Sequence, residues 1–340
     1  MGHIWSEVIM KSLSKSFFRL NVLAIGLLIL VVLVLPSVGS VFHLYIVCTI
    51  ILLALFAISF NLLFGMAGYL PFGHMCFYAT GAYVTGLLMI SKFPLLPAVL
   101  LGTAAAGILA LILGLFCVRH TFIYFSLLSL AFGMMVHAII WKWSSLTGGD
   151  DGLIGIPRGS LYIPGIINIP MESLSNYYYF LTITSILAFY IIYRICKSPF
   201  GLVLNGLREN IGRVEFAGIP TRRYLLYLFI ITGLFAGLAG ALMAPLEKTL
   251  SPAIAHWSKG AEPLFATLIG GPFFFWGPIV GAAIFVGLKE TIVRFTSYWL
   301  IFLGILLLAL VLGFRGGIVG FIHDGLQKGA MLKLKNIVKV

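Results

Sequence analysis

Ten acidic residues make up the whole carboxylate complement of the chain: Glu7, Asp150, Asp151, Glu172, Glu209, Glu215, Glu247, Glu262, Glu290 and Asp324. Each lies in a polar stretch or at the end of an apolar run, none in the middle of one. Ionisable groups inside a bilayer are costly and therefore functional, and proton- or sodium-driven carriers often place them there. This chain offers no such group, which argues against an ion-coupled carrier. No Walker A sequence occurs, so no nucleotide is hydrolysed through a P-loop. Neither HExxH nor paired metal-ligand spacing is found. Cys48, Cys76, Cys117 and Cys196 fall in or beside apolar runs without a CxxC spacing and read as small packing residues. We expect no catalytic residue, no metal site and no cofactor in the chain.

The polar residues that remain within apolar surroundings are few. His74 closes the stretch GMAGYLPFGH, Gly65 to His74, which holds three glycines and a proline. Such a stretch is too apolar to be a solvated loop. Irregular backbone at membrane depth is tolerated only where protein or a water-filled cavity covers it, so a broken or re-entrant segment beside a pathway is expected. His74 is then either a gate or a helix-start residue bonded to a nearby carbonyl. Asn61 and His137 read as interhelical hydrogen-bonding residues, with Asn61 also a pathway candidate. A second break, Gly270, Gly271, Pro272, Gly277 and Pro278, interrupts Leu264 to Leu288. Gly68, Gly73, Gly270 and Gly271 join Asn61 and His74 as candidate pathway positions. Asp150 and Asp151 could meet a cation or a partner, or form a solvated turn.

The elements that position these residues follow from composition. Of 340 residues 61% are hydrophobic and 9% charged, against about a quarter charged in soluble domains. The apolar runs are continuous, as helices require, and not alternating as in a β-barrel. We therefore predict an all-α polytopic membrane protein of eight to nine transmembrane helices plus broken or re-entrant segments. The expected spans are Leu20–Leu35, Leu44–Phe64, Met75–Ile90, Pro97–Val118, Phe122–Trp141, Tyr177–Tyr193, Tyr224–Ala244 and Tyr298–Leu312. Residues 1–19 form a cytoplasmic tail, 20–322 the transmembrane domain, and 323–340 a basic cytoplasmic tail. Small residues four apart, Gly102, Ala106, Ala110 and Gly114 in one span and Gly233 and Gly237 in another, predict close helix contacts. The polar stretch from Thr147 to Ser175 should be an extracytoplasmic loop. Simple alternation places the basic C-terminal tail outside, against its charge; a re-entrant piece within Leu264–Leu288 removes the conflict.

One polar stretch lies between spans near the middle, residues 198–223. Arg194, Lys197, Arg208, Arg213, Arg222 and Arg223 crowd it, opposed only by Glu209 and Glu215. Short basic loops resist translocation, so this one faces the cytoplasm. We expect a short amphipathic helix between Phe200 and Ala217, with Leu202, Leu204 and Leu207 towards the membrane. The net charge of +12 follows from such loops and tails, without the aromatic interleaving of a nucleic-acid groove; no nucleic-acid partner is expected.

Several separated blocks, over approximately Leu44 to Phe321, resemble LivM-type permease subunits of branched-chain amino acid ABC importers. They are SFNLLFGMAGYLPFGHMCFYATGAYV (Ser59 to Val84), LTGGDDGLIGIP (Leu146 to Pro157), FGLVLNGLREN (Phe200 to Asn210) with Ala217 to Ile219, GLAGAL (Gly237 to Leu242), LIGG and WGPIVGA (within Leu268 to Ala282) and FRGGIVGFI (Phe314 to Ile322). The sequence departs from the pattern at Arg213 and Phe216, at Phe273 to Phe275, and at Phe314. The resemblance implies a coupling loop carrying Phe200, Gly201, Arg208, Glu209, Asn210, Glu215 and Gly218. It further implies a second homologous permease subunit (a heterodimer), two separate cytoplasmic ATPases that bind ATP and Mg, and a periplasmic or extracellular substrate-binding protein. Together they would move amino acids or related small solutes across a bacterial or archaeal inner membrane by alternating access, amid membrane lipid. A self-sufficient channel or secondary carrier for urea or an amide stays open as the alternative.

Overall fold

From Val41 to Phe64 the sequence contains neither glycine nor proline, and a helix runs unbroken until the first glycine is near. A computed structural model of the chain describes residues 36, 40–163 and 167–295, then 298, 301–302, 304–305, 308, 313 and 316–321. The chain divides into two units, Met1–Tyr45 and Ile46–Val340. In the described part of the first, Ser40 Oγ and His43 Nδ1 lie 2.7 Å apart. The expected span at Leu20–Leu35 and both tails lie outside the described residues, and only scattered positions of the last span are described.

Helix α1 (Val41–Asn61) ends in a π-helical turn, Leu62–Met66. Helices α2 (Met75–Ile90), α3 (Leu95–Cys117), α4 (Phe122–Lys142) and α5 (Leu174–Cys196) follow. Two short helices come next, α6 (Pro199–Glu209) and α7 (Ile211–Phe216), and then α8 (Thr221–Glu247), α9 (Trp257–Gly270) and α10 (Gly277–Phe295). Five of the described helices are long and apolar enough to cross a membrane: Val41–Met66, counted with its π turn, α3, α4, α5 and α8; α2 is a shorter apolar helix. The protein is all-α and polytopic.

Helices α2, α3 and α8 pack most extensively, because small residues let their backbones meet. A Cβ on Gly233 would run into Ala110, one on Gly237 into Ala106, and one on Gly81 into the carbonyl of Gly237. The stripes predicted from spacing thus face each other across α3 and α8, as small-residue interfaces do.

The loop after α4 is more ordered than its glycines and prolines suggest. Strand β1 (Leu153–Ile154) pairs antiparallel with β4 (Thr249–Leu250), and β2 (Ser160–Ile163) forms a hairpin with β3 (Ile167–Pro170). Arg158 ties the loop down, donating from Nε to the Pro245 carbonyl at 3.3 Å and from Nη1 to that of Glu172 at 3.1 Å.

The second predicted break is a helical hairpin. Helices α9 and α10 pack on each other, joined by a turn from Gly271 to Trp276. The turn lies beside the end of α1, where Asn61 Nδ2 donates to the Pro272 carbonyl at 3.2 Å. A hairpin returns the chain to the side it left. Such a hairpin is the kind of return, re-entrant or crossing twice, that alternation asks for.

Candidate functional site

The central basic stretch folds as two helices, not the single one expected. Pro199 supplies the fixed φ suited to a first helical position. Helix α6 stops at Asn210, whose extended backbone (φ −164°, ψ 104°) breaks the run and whose side chain accepts from Arg213 N at 3.1 Å, capping α7. Leu204 and Leu207 are buried within the protein, whereas Leu202 is 74% exposed. The pair is braced against α8. The Phe200 ring stacks on Tyr224 with centroids 5.6 Å apart, and Glu215 Oε1 accepts from Thr221 Oγ1 at 2.8 Å. Gly201 is buried against the Cys196 carbonyl, where a Cβ has no room. Gly218 adopts φ +80° after α7, with open space around it.

Arg208 leaves this element and reaches both broken segments. Its Nη1 donates to the Gly65 carbonyl at 2.6 Å, in the π turn. Its guanidinium carbon lies 4.2 Å from the centroid of Phe273, in the hairpin turn, within cation–π range. Its methylenes rest beside Gly68, where a Cβ would stand 3.3 Å from Arg208 Cγ and where φ is +78°, a left-handed backbone that glycine adopts without cost. Burial draws the pKa of the guanidinium down from its ordinary value, against the Glu209 carboxylate, which acts to raise it. Asn61 completes the arrangement: its amide packs on Gly65 and bonds the Pro272 carbonyl, while its Oδ1 is buried without a hydrogen-bond partner. A cavity of about 210 Å³ opens beside these groups, lined also by Cys196, Lys197 and Asn205.

The candidate pathway residues therefore divide. Asn61, Gly68, Gly270 and Gly271 gather at or next to this junction, Gly271 with φ +110° in the hairpin turn. Gly73 and His74 lie in a different, tightly packed layer. The Gly73 amide donates to Ser129 Oγ at 3.4 Å. His74 is fully buried, its Nε2 3.0 Å from Ser59 Oγ and its ring among Phe56, Phe60 and Phe77. The carbonyl partner expected of it is a hydroxyl instead.

Sequence reasoning missed the roles of Gly65, Pro272 and Phe273, because two of them act through backbone carbonyls that any residue supplies. It also missed an ion-paired cluster towards the other end of α9. Lys259 Nζ lies 2.6 Å and Lys289 Nζ 3.3 Å from the Glu262 carboxylate, beside a cavity of about 60 Å³. The Lys259–Glu262 spacing of three residues was its one sequence signal. Among the described residues no group of His, Cys, Asp and Glu could hold a metal ion.

Apolar spans, interrupted at two places that one side chain from a basic central loop bridges, fit a polytopic membrane permease. The chain belongs to the family described as the permease component of the branched-chain amino acid transport system, whose profile matches residues 42–311. It is similar to the high-affinity branched-chain amino acid transport system permease protein LivM of Escherichia coli (strain K12), 27% identical over 301 residues, which cover 82% of this chain and 69% of the relative. The protein of the same name from Salmonella typhimurium (strain LT2) is 27% identical over 277 residues, covering 75% and 64%. The guanosine ABC transporter permease protein NupQ of Bacillus subtilis (strain 168) is 30% identical over 135 residues, covering 38% and 41%. The match thus spans 69% and 64% of the length of the two LivM relatives. No solved structure matches the chain.

Proposed function

We propose that the chain is the membrane-spanning subunit of an ATP-binding-cassette importer for amino acids or closely related small solutes. It would pair with a second homologous permease in the inner membrane, engage two cytoplasmic ATPases that bind ATP and Mg, and receive solute from an extracytoplasmic binding protein. The subunit itself performs no catalysis. The observation that carries this reading is the braced pair α6–α7. It bears exposed Leu202 and Phe216, 74% and 95% accessible, on a loop whose Arg208 reaches both broken segments. An energy source outside the chain can act through such a handle. The solute path would pass Asn61, Gly68, Gly270 and Gly271 at its inner end, with Gly73 and His74 as the packed wall behind it. Amino acids are the favoured cargo because the family and both LivM relatives carry that name.

The test is reconstitution. Expressed with its companion subunits, the chain should retain the ATPases through purification and show leucine uptake that requires both ATP and the binding protein. Uptake of leucine or urea by this chain alone, with no ATPase bound, would overturn the importer reading in favour of a self-sufficient channel or carrier.

A further inference from the structure

We propose that Arg208 is the latch of the inner gate: a positioning residue that holds the two broken segments together, and not a contact to the ATPase. The proposal rests on the importer reading above. The side chain makes a contact at each of its parts, although the residue keeps exposed surface. Its methylenes lie beside Gly68, its Nη1 bonds the Gly65 carbonyl, and its plane covers Phe273. Asn61 closes a ring from the other side, packing on Gly65 and donating to Pro272. Thus the π turn of α1, the turn of the α9–α10 hairpin and helix α6 meet in one cycle of contacts, and Arg208 is the member that belongs to the cytoplasmic element. Leu202, Glu209 and Phe216 are exposed nearby and offer an ATPase a surface of their own.

The bracing of α6 and α7 by Phe200–Tyr224 and Glu215–Thr221 means that force applied at Phe216 displaces Arg208 as well. The gate cannot widen between Gly65 and Phe273 while the guanidinium spans them. The closed ring and an open one would be the two arrangements of a two-state element. Lysine could replace the charge but not the planar group that bonds a carbonyl and covers a ring together.

The experiment uses the whole complex with its binding protein in proteoliposomes, with leucine as probe. It measures retained ATPase, ATP turnover and leucine moved per ATP. For Arg208→Ala we expect ATPase retention and turnover to stay near wild type, while leucine per ATP falls about tenfold, the loss of two contacts at one closed junction. Arg208→Lys should recover part of that ratio. Phe273→Leu, which keeps the bond to Gly65, should lower it about threefold, and adding it to Arg208→Ala should cost nothing more, since the residues share one interaction. Loss of the ATPase from Arg208→Ala, with Phe273→Leu behaving as wild type, assigns Arg208 to docking and overturns the proposal. An unchanged leucine-to-ATP ratio in both single variants overturns it too. A wild-type complex without ATP-driven uptake removes the importer reading and this proposal with it.

Discussion

His74 sits at the start of α2 with no exposed surface, ringed by Phe56, Phe60 and Phe77 and bonded to Ser59. A histidine so placed holds helices together. Replacing it with alanine should destabilise the protein by about 3 kcal/mol, the usual cost of removing a buried ring, measured as a lower unfolding temperature in detergent. The fraction that remains folded should move normal amounts of solute per ATP. Wild-type stability with lost transport would instead put His74 on the solute path. Glu262 presents the opposite case, a carboxylate whose neighbours the sequence spread over 31 residues, from Lys259 to Lys289. Glu262→Gln leaves both ammonium groups facing a neutral amide, so a loss of about 2 kcal/mol is expected for two charge-assisted hydrogen bonds at partly buried side chains. Thermal unfolding of the purified variant checks it; an unchanged midpoint would show the cluster to be solvated. Residue identity alone marked His74 as notable but not its surroundings, which are set by which helices meet there.

Spacing made the elements largely legible. Met75–Ile90 is found at the predicted bounds, and the other spans between Val41 and Glu247 differ from expectation by a few residues at each end. The fit of α3 to α8 was legible too, because small residues four apart can only make a flat face. A bulky residue there has no space, and Gly237→Leu should drive a methylene-rich side chain into Ala106. Overpacking costs about 1–3 kcal/mol where a core can give way; at this crossing backbones touch, so we expect aggregated protein in place of a single peak on size exclusion. Gly218→Ala, at an open site, should remain monodisperse. Less legible was the division of the central basic element into α6 and α7. An asparagine can continue a helix or cap the next one, and here the cap at Arg213 N wins. The strands of the outer loop were not legible at all, since β1 finds its partner β4 nearly a hundred residues away. Arg158 fastens that loop through carbonyls. Arg158→Ala should therefore speed cleavage within residues 153–173 by protease added from outside, with the spans left intact.

For the molecule as a whole, the decisive question is on which side the α9–α10 turn lies, because the sidedness of everything after it depends on the answer. One contact joins the turn to the central basic loop, Arg208 to Phe273, and two join it to neighbouring helix ends, Asn61 to Pro272 and Tyr193 against Phe275 at 5.3 Å. At the other end of the hairpin, His256 meets His137 near the end of α4 at 5.3 Å, beside the loop expected outside. Arg and Lys in short loops stay on the cytoplasmic side, so the basic loop is expected there and the turn with it. The four native cysteines allow a direct check. Three are buried and Cys196 is partly so, so a Cys196→Ser background is nearly silent towards a membrane-impermeant maleimide. In that background Phe273→Cys, at a side chain 55% exposed, and Arg213→Cys should react only in inside-out vesicles. Trp257→Cys, at a position of equal exposure, should react only in intact cells. Labelling of Phe273→Cys from outside would separate the hairpin turn from the cytoplasmic loop. The cycle through Arg208 could not then form in the membrane, and the two breaks would have to be moved independently.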